Sequence, residues 1–304
     1  MTKSTTSSCF VATIDTSLSS KLRSDLISQG FELTEPAYTF FAAKKSGLSC
    51  VLYLSGKITV QGKAKEEFIS FYLEPEILKD FSYTYKTTQL DLSPRIGDDE
   101  SGKGDFFGPL CVAGIYASGD SIKELIQLGV KDSKQLNDPT IVTISRELKK
   151  HYPHKILMLF PEKYNELYEK FLNLNHLLGW CHATVIEHLV VETKCQKVIL
   201  DQFAPTELMV TAMKRKKMEI DLTQRPRAEE DPVVAAASIL ARAGFLEGIE
   251  RLSEKYQIVL PKGAGSPVLQ MGVTLVRKYG KEILEEVSKL HFKTTLEVLG
   301  RASQ

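Results

Sequence analysis

The run GDDESGKGDFFGPLCVAG, residues 97–114, decides how the second half of the chain is read. Its opening comes within one position of the phosphate-cradling pattern G-x-x-x-x-G-K-[ST], but Gly104 stands where Ser or Thr would hold a magnesium ion. A phosphate loop also needs a buried strand before it and a helix after it, so that backbone N–H groups face the ligand. Here LDLSPRI precedes, broken by Pro94, and FFGPLCVAGIYA follows, an apolar run with strand character. Three successive acids, Asp98, Asp99 and Glu100, would repel a triphosphate unless metal ions intervened. They make better sense as ligands for a hard cation, which takes carboxylate oxygens, water and substrate phosphate and needs few protein ligands. Neighbours on a regular strand point to opposite faces, so Asp99 and Glu100 share an ion cluster only at a strand end or bulge.

Downstream, strands and helices alternate. HKILMLF (154–160) and KVILD (197–201) read as strands. IVTISRELKKHY, the long stretch from Pro161 to Lys194, the run from Asp231 to Tyr256 and the chain after residue 266 read as helix. That is an α/β domain with a mixed sheet covered by helices. Asp201 ends its apolar strand, where α/β sheets commonly build sites, although the same residue equally suits a turn cap. Glu229, Glu230 and Asp231 sit directly before PVVAAASILAR. Pro232 fits a first helical turn and Asp231 an N-cap, while Glu229 or Glu230 would hang over the same sheet edge as Asp201. Spacing does not choose among the three. The small side chains Ala235, Ala236, Ala237 and Ser238 imply a helix packed closely on the sheet.

Upstream the grammar differs. CFVATID reads as strand, SLSSKLRSDLISQG as helix, and YTFFAAKK, CVLYLS and KITVQG as strands of antiparallel hairpins separated by Ser-Gly turns. KAKEEFISFYLEPEIL returns to helix and is expected to break near Pro75. The expected organisation is a first domain over 1–75, a linker over 76–95 and a second domain over 96–304.

Composition bounds the rest. Hydrophobic residues are 43% and charged residues 25% of 304, so both halves can bury cores. Thirty-nine basic against 38 acidic residues neither demands nor excludes nucleic acid, because binding depends on a local basic face. The five cysteines are scattered and never spaced C-x-x-C, which argues against a disulfide framework or zinc site. The first residues carry no signal-peptide core and no uninterrupted apolar run approaches the ~20 residues of a membrane span. A cytoplasmic protein with no membrane association is expected.

GDDESGKGDFFGPLCVAG, VKDSKQLND, ILDQFAP, VAAASILAR and LPKGAG occur in the order found in type 2 ribonucleases H, and the chain most closely resembles the ribonuclease HIII branch. SGKITVQGKAKEE (55–67) resembles one repeat of the TATA-binding-protein fold, which that branch carries as an amino-terminal substrate-binding domain. The resemblance implies a ribonuclease H-like mixed sheet flanked by helices, preceded by a small α+β TATA-binding-protein-like domain. It implies two-metal-ion hydrolysis, with Mg²⁺ or Mn²⁺, of the RNA strand of RNA–DNA hybrids, leaving 5′-phosphate and 3′-hydroxyl ends. Asp99 and Glu100 match the family's metal-binding pair and Asp201 its third carboxylate. Glu229 is taken as the fourth acid, although its spacing to the Ala-rich helix departs slightly from the family pattern. Gly102, Lys103 and Gly104 stand where the family reads the ribose 2′-hydroxyl with backbone groups.

Lys44, Lys45, Lys57, Lys63 and Lys65 are candidate phosphate contacts of the first domain, and Lys131 and Lys134 of the second. Phosphate binding and a solvated face are equally good readings of KRKK (214–217). Trp180, His182, His188 and His291 read as structural. A ribonuclease HII-like preference for single ribonucleotides in duplex DNA, and a non-catalytic hybrid binder, are the alternatives; clustered carboxylates near phosphate disfavour the binder. A monomer without an obligate protein partner is expected.

Overall fold

A computed structural model describes residues 9–81, 83 and 90–303. The chain divides into two compact units, Met1–Leu90 and Asp91–Gln304. In the first unit β1 (Cys9–Thr13) leads to α1 (Ser19–Ser28), then β2 (Glu32–Thr34), β3 (Thr39–Lys45), β4 (Leu48–Tyr53) and β5 (Lys57–Gln61), and the unit returns to helix at α2 (Lys65–Phe68). The strands form one antiparallel sheet in the order β1-β5-β4-β3-β2. Period-2 alternation makes its two faces: Leu48, Cys50 and Leu52 are buried on β4, and Ile58 and Val60 on β5. With Leu22 and Leu26 of α1 and Ile69 and Leu73 beyond α2 they form one core.

One expectation fails here for an identifiable reason. The second helix does not break at Pro75 but runs on from α2 as a widened π-type helix over Ile69–Leu78, ending at Lys79 in the left-handed region. The π register leaves backbone groups out of the i to i−4 ladder, which is where a residue lacking an N–H is tolerated. The linker expected at 76–95 is thus helical at its start and strand at Arg95; residues 82 and 84–89 of it lie outside the described residues. The five candidate lysines take different places, with Lys63 exposed in the turn after β5. Register puts Lys44 and Lys57 on the face away from the core, Lys45 lies 4.6 Å over the Phe31 ring, and Lys65 is buried.

The second unit starts with a hairpin of β6 (Arg95–Ser101) and β7 (Leu110–Ala117). It continues through α3 (Asp120–Gln127), α4 (Asp138–His151), β8 (His154–Leu159), α5 (Pro161–Phe171), α6 (Leu174–Thr193), β9 (Lys197–Asp201), α7 (Thr206–Arg215) and β10 (Asp221–Arg225). Helices α8 (Pro232–Tyr256), α9 (Ser266–Tyr279), α10 (Ile283–Val287) and α11 (Lys293–Ala302) complete it. The mixed sheet has the order β10-β9-β6-β7-β8, antiparallel among β6, β7 and β8 and parallel from β6 to β9 to β10. Strand β10, DLTQR, lacks the apolar run that announces a strand; pairing with β9 at the sheet edge makes it one.

Helix α6 covers one face through Val185, Ile186 and Leu189, which pack on Ile96, Val112, Val198 and Leu200. Helix α8 covers the other. It is 25 residues long and apolar enough to cross a membrane, but 83% of its apolar window is buried inside the protein. Its small residues allow backbone-to-backbone approach. A Cβ placed on Gly97 of β6 would lie 2.4 Å from the Val233 carbonyl carbon and 2.5 Å from the Val234 nitrogen.

Candidate active site

The parallel pairing of β6 and β9 sets Asp98 against Leu200. One residue further on, Asp99 and Asp201 come abreast at the carboxyl ends of both strands. Alternation turns them toward the α8 side of the sheet, while Asp98 and Glu100 face α6. Because β6 ends at Ser101, side chains from both faces reach the space beyond the edge. A cleft of about 400 Å³ opens there, lined by Asp99, Glu100 and Asp201, by Gly102, Lys103 and Gly104, and by Lys134 and Arg242.

The cleft is crowded with negative charge. Burial, together with the charges of Glu100 and Asp201, pushes the Asp99 carboxyl well above the usual carboxylate range. Burial works the same way on Glu100, but the neighbouring His182 and Lys103 overcome it and hold that carboxyl low. Lys103 Nζ lies 3.5 Å from Glu100 Oε1 and 5.8 Å from the centre of the Phe203 ring. The Lys134 ammonium is stabilised against burial by Asp132, Glu229, Asp99 and Asp201, so Glu229 adds to the field of the same cleft.

The acidic trio before α8 is sorted by its contacts. Asp231 is the N-cap, accepting from the Val233 N–H at 2.9 Å, and it also accepts from Nε of the buried Arg95 at 2.9 and 3.1 Å. Glu230 pairs with Arg227 at the surface. Glu229 is occupied by neither task. It sits in a short 3-10 turn, Ala228–Glu230, whose Ala228 N–H donates to Asp201 Oδ1 at 3.2 Å. That bond ties the turn carrying Glu229 to the end of β9.

The donor set suits a hard divalent cation, being carboxylate oxygen that repels itself unless a cation is present. Among the described residues no three His, Cys, Asp or Glu side chains converge closely enough to enclose an ion by themselves. Such openness is what a cation with coordination positions for water and phosphate requires.

The glycines beyond β6 differ in what the fold asks of them. Gly102 has φ +87°, and a Cβ there would lie 2.3 Å from the Pro109 carbonyl oxygen. At Gly104 a Cβ would meet nothing within 4 Å, and the backbone is outside the left-handed region. The fold therefore requires Gly102 and places no demand on Gly104. The loop that follows is clamped by distant residues. Asp105 accepts from the Gly263 N–H at 2.6 Å, and buried Lys289 donates to the carbonyls of Asp105 at 2.8 Å and Gly108 at 2.7 Å. Burial pushes the Lys289 ammonium down to about 7.

Other expected residues lie elsewhere. Lys134 lines the cleft, but Lys131 is buried. No residue of KRKK lines it; Arg215 and Lys216 border a second groove beside Trp180, and Lys216 pairs with Glu187. His188 is exposed next to Glu192, and His291 stacks on Tyr168. His182, read as structural, lies fully buried beside Asp98 and Glu100. Its signal was the one imidazole inside LLGWCHATVI, since a buried imidazole must find partners.

A family model described as ribonuclease HII matches residues 96–295, and one described as a domain of unknown function matches residues 9–84. The chain is 52% identical over 295 residues to a ribonuclease HIII of Protochlamydia amoebophila, covering 97% of this chain and 98% of the relative. It is 49% identical over 292 residues to a ribonuclease HIII of Chlamydia pneumoniae, covering 95% and 97%. Among solved structures, that of Bst-RNase HIII in complex with Mn²⁺ is similar with TM-score 0.66 and 32% identity, covering 97% of this chain and 99% of that one. Aquifex aeolicus RNase H3 is similar with TM-score 0.56 and 27% identity, covering 93% of this chain and 100% of that one.

Proposed function

This chain belongs to the ribonuclease HIII family, and from that premise we propose that it hydrolyses the RNA strand of RNA–DNA hybrids at the cleft beyond β6 and β9. The observation that carries the reading is the placing of Asp99 and Asp201 abreast on neighbouring parallel strands, with Glu100 and the Gly102–Gly104 loop on the same cleft. Asp99, Glu100 and Asp201 hold Mg²⁺ or Mn²⁺, with Glu229 as the fourth acid. When bound there, such ions would supply positive charge to the scissile phosphate, the attacking water and the leaving 3′-oxygen. The products carry 5′-phosphate and 3′-hydroxyl ends.

The chain's own groups bind and orient. Lys134 and Arg242 offer cations to the phosphate backbone from the cleft wall. Backbone groups of Gly102, Lys103 and Gly104 face the groove of the hybrid and recognise the ribose 2′-hydroxyl, the group that distinguishes RNA from DNA. The first unit lays its sheet on the duplex, with Lys44 and Lys57 as phosphate contacts. The same reading has the protein act in the cytoplasm as a monomer.

Cleavage of a long-ribonucleotide hybrid, compared with duplex DNA bearing one ribonucleotide, tests it directly. Hybrid cleavage is expected with Mg²⁺ or Mn²⁺ and not in excess chelator. Activity that persists in chelator, or none with either metal, sinks the reading; preference for the single ribonucleotide replaces the substrate with that of a ribonuclease HII. A second result follows from Gly104, which the fold leaves free. Gly104→Ala is expected to keep the thermal midpoint of the parent while raising KM for hybrid roughly tenfold, the equivalent of about 1.4 kcal/mol. An unchanged KM would remove Gly104 from the substrate interface.

A further inference from the structure

His182 lies where no polar group is needed for packing. The side chain is 0% exposed on α6, a helix whose neighbouring residues Leu178, Cys181 and Val185 are core. Its Nδ1 is hydrogen-bonded to Asp98 Oδ1, and its Nε2 lies 3.4 Å from Glu100 Oε2 without completing a hydrogen bond. Alternation along β6 brings both carboxylates to the α6 face, so one imidazole spans positions 98 and 100. The ring also stacks on Phe203, centroids 4.7 Å apart and 19° from parallel, two residues beyond Asp201. One buried ring therefore touches the strand that carries Glu100 and the loop that leaves Asp201.

The geometry assigns His182 the role of a positioning residue: with Asp98 behind it, it fixes the Glu100 carboxylate and the loop after Asp201 in the arrangement that receives the divalent ions. This rests on the metal reading of the cleft given above. Asp98 orients the ring through Nδ1, which leaves Nε2 to face Glu100. A buried polar atom without a completed bond costs stability unless something is gained, and the atom here is aimed at a carboxylate of the cleft. Groups behind metal-binding carboxylates orient them, and their loss typically weakens metal binding by about 10–100-fold.

Mn²⁺ binding, followed calorimetrically on the full chain without substrate, reads this role apart from cleavage. His182→Phe keeps an aromatic ring against Phe203 and removes both nitrogens. It is expected to weaken Mn²⁺ binding at least tenfold and to raise the Mn²⁺ concentration for half-maximal cleavage by the same factor. Hybrid affinity in chelator should stay within about twofold of the parent. His182→Gln, which can still donate toward Glu100, should recover part of the loss. An Mn²⁺ affinity unchanged in His182→Phe overturns the assignment. If that variant does not fold, Asp98→Asn decides, with weakened Mn²⁺ binding expected and unchanged binding overturning it. Asp99→Asn separates the two readings. If it leaves Mn²⁺ binding intact, the metal assignment falls and takes the role of His182 with it. If it abolishes binding while His182→Phe does not weaken it, only the role of His182 falls.

Discussion

Asp99→Asn is expected to lower the single-turnover rate of hybrid cleavage by about three orders of magnitude or more, while the protein still folds and still binds hybrid in chelator. The magnitude follows from the chemistry: charge stabilisation by a bound metal is worth several kcal/mol, and ~4 kcal/mol is about a thousandfold in rate. Asn keeps the size of Asp and loses the anionic oxygen that a hard cation needs. The change should not cost stability in the absence of metal. Asp99 lies against Glu100 and Asp201, and those charges together with burial already oppose its ionisation, so removing it relieves repulsion. The expected signature is thus an inactive protein whose thermal midpoint without metal equals or exceeds that of the parent. Asp201→Asn should lose activity similarly, with one difference. Its Oδ1 accepts from the Ala228 N–H, so its loss should also loosen the turn carrying Glu229. Cleavage within tenfold of the parent in either variant would refute the assignment of these acids.

Gly97→Ala is the second large effect, and it acts through backbone. The added methyl would stand 2.4 Å from the Val233 carbonyl carbon, 2.5 Å from its oxygen and 2.5 Å from the Val234 nitrogen. No rotamer change relieves a clash with main chain, so β6 and α8 must separate where they pack most closely. A loss of about 3 kcal/mol or more is expected, at the upper end of overpacking effects. Urea unfolding followed by far-ultraviolet circular dichroism measures it. Activity should fall as well, because Asp99 lies two residues along β6 and Asp231 caps the displaced helix. A loss below about 1 kcal/mol would mean that the close approach of strand and helix is not held in solution. Gly104→Ala should differ: one extra methyl is expected to disrupt the fold at Gly97, whereas at Gly104 it meets nothing within 4 Å of the protein.

Much of this arrangement could be read locally. The acids at a strand end, Asp201 closing an apolar strand, the Asp231-Pro232 helix start and the tight packing of the Ala-rich helix are short-range patterns with short-range causes. What could not be read depends on which distant segments meet. His182 pairs with a strand 84 residues earlier, and nothing within α6 announces it beyond an imidazole on the helix face that is otherwise apolar. The choice among Glu229, Glu230 and Asp231 turns on the local 3-10 turn and on the partners Arg95 and Arg227, neither of which lies in the acidic run. Lys65 and Lys131 look like surface charge until the chain folds over them. Pro75 reads as a stop only if the helix is assumed to have the α register.

The clamp on the Asp105–Gly108 loop also orders events in time. Lys289 is synthesised 184 residues after Asp105, roughly 10–40 s later at about 5–20 residues per second. Until then the strands and their acids exist without the clasp that sets the neighbouring loop. Such sequence-distant contacts form late because long loops must close first. The loop beside the candidate cleft therefore takes its final shape only after a segment 184 residues further along has been made and has folded back onto it.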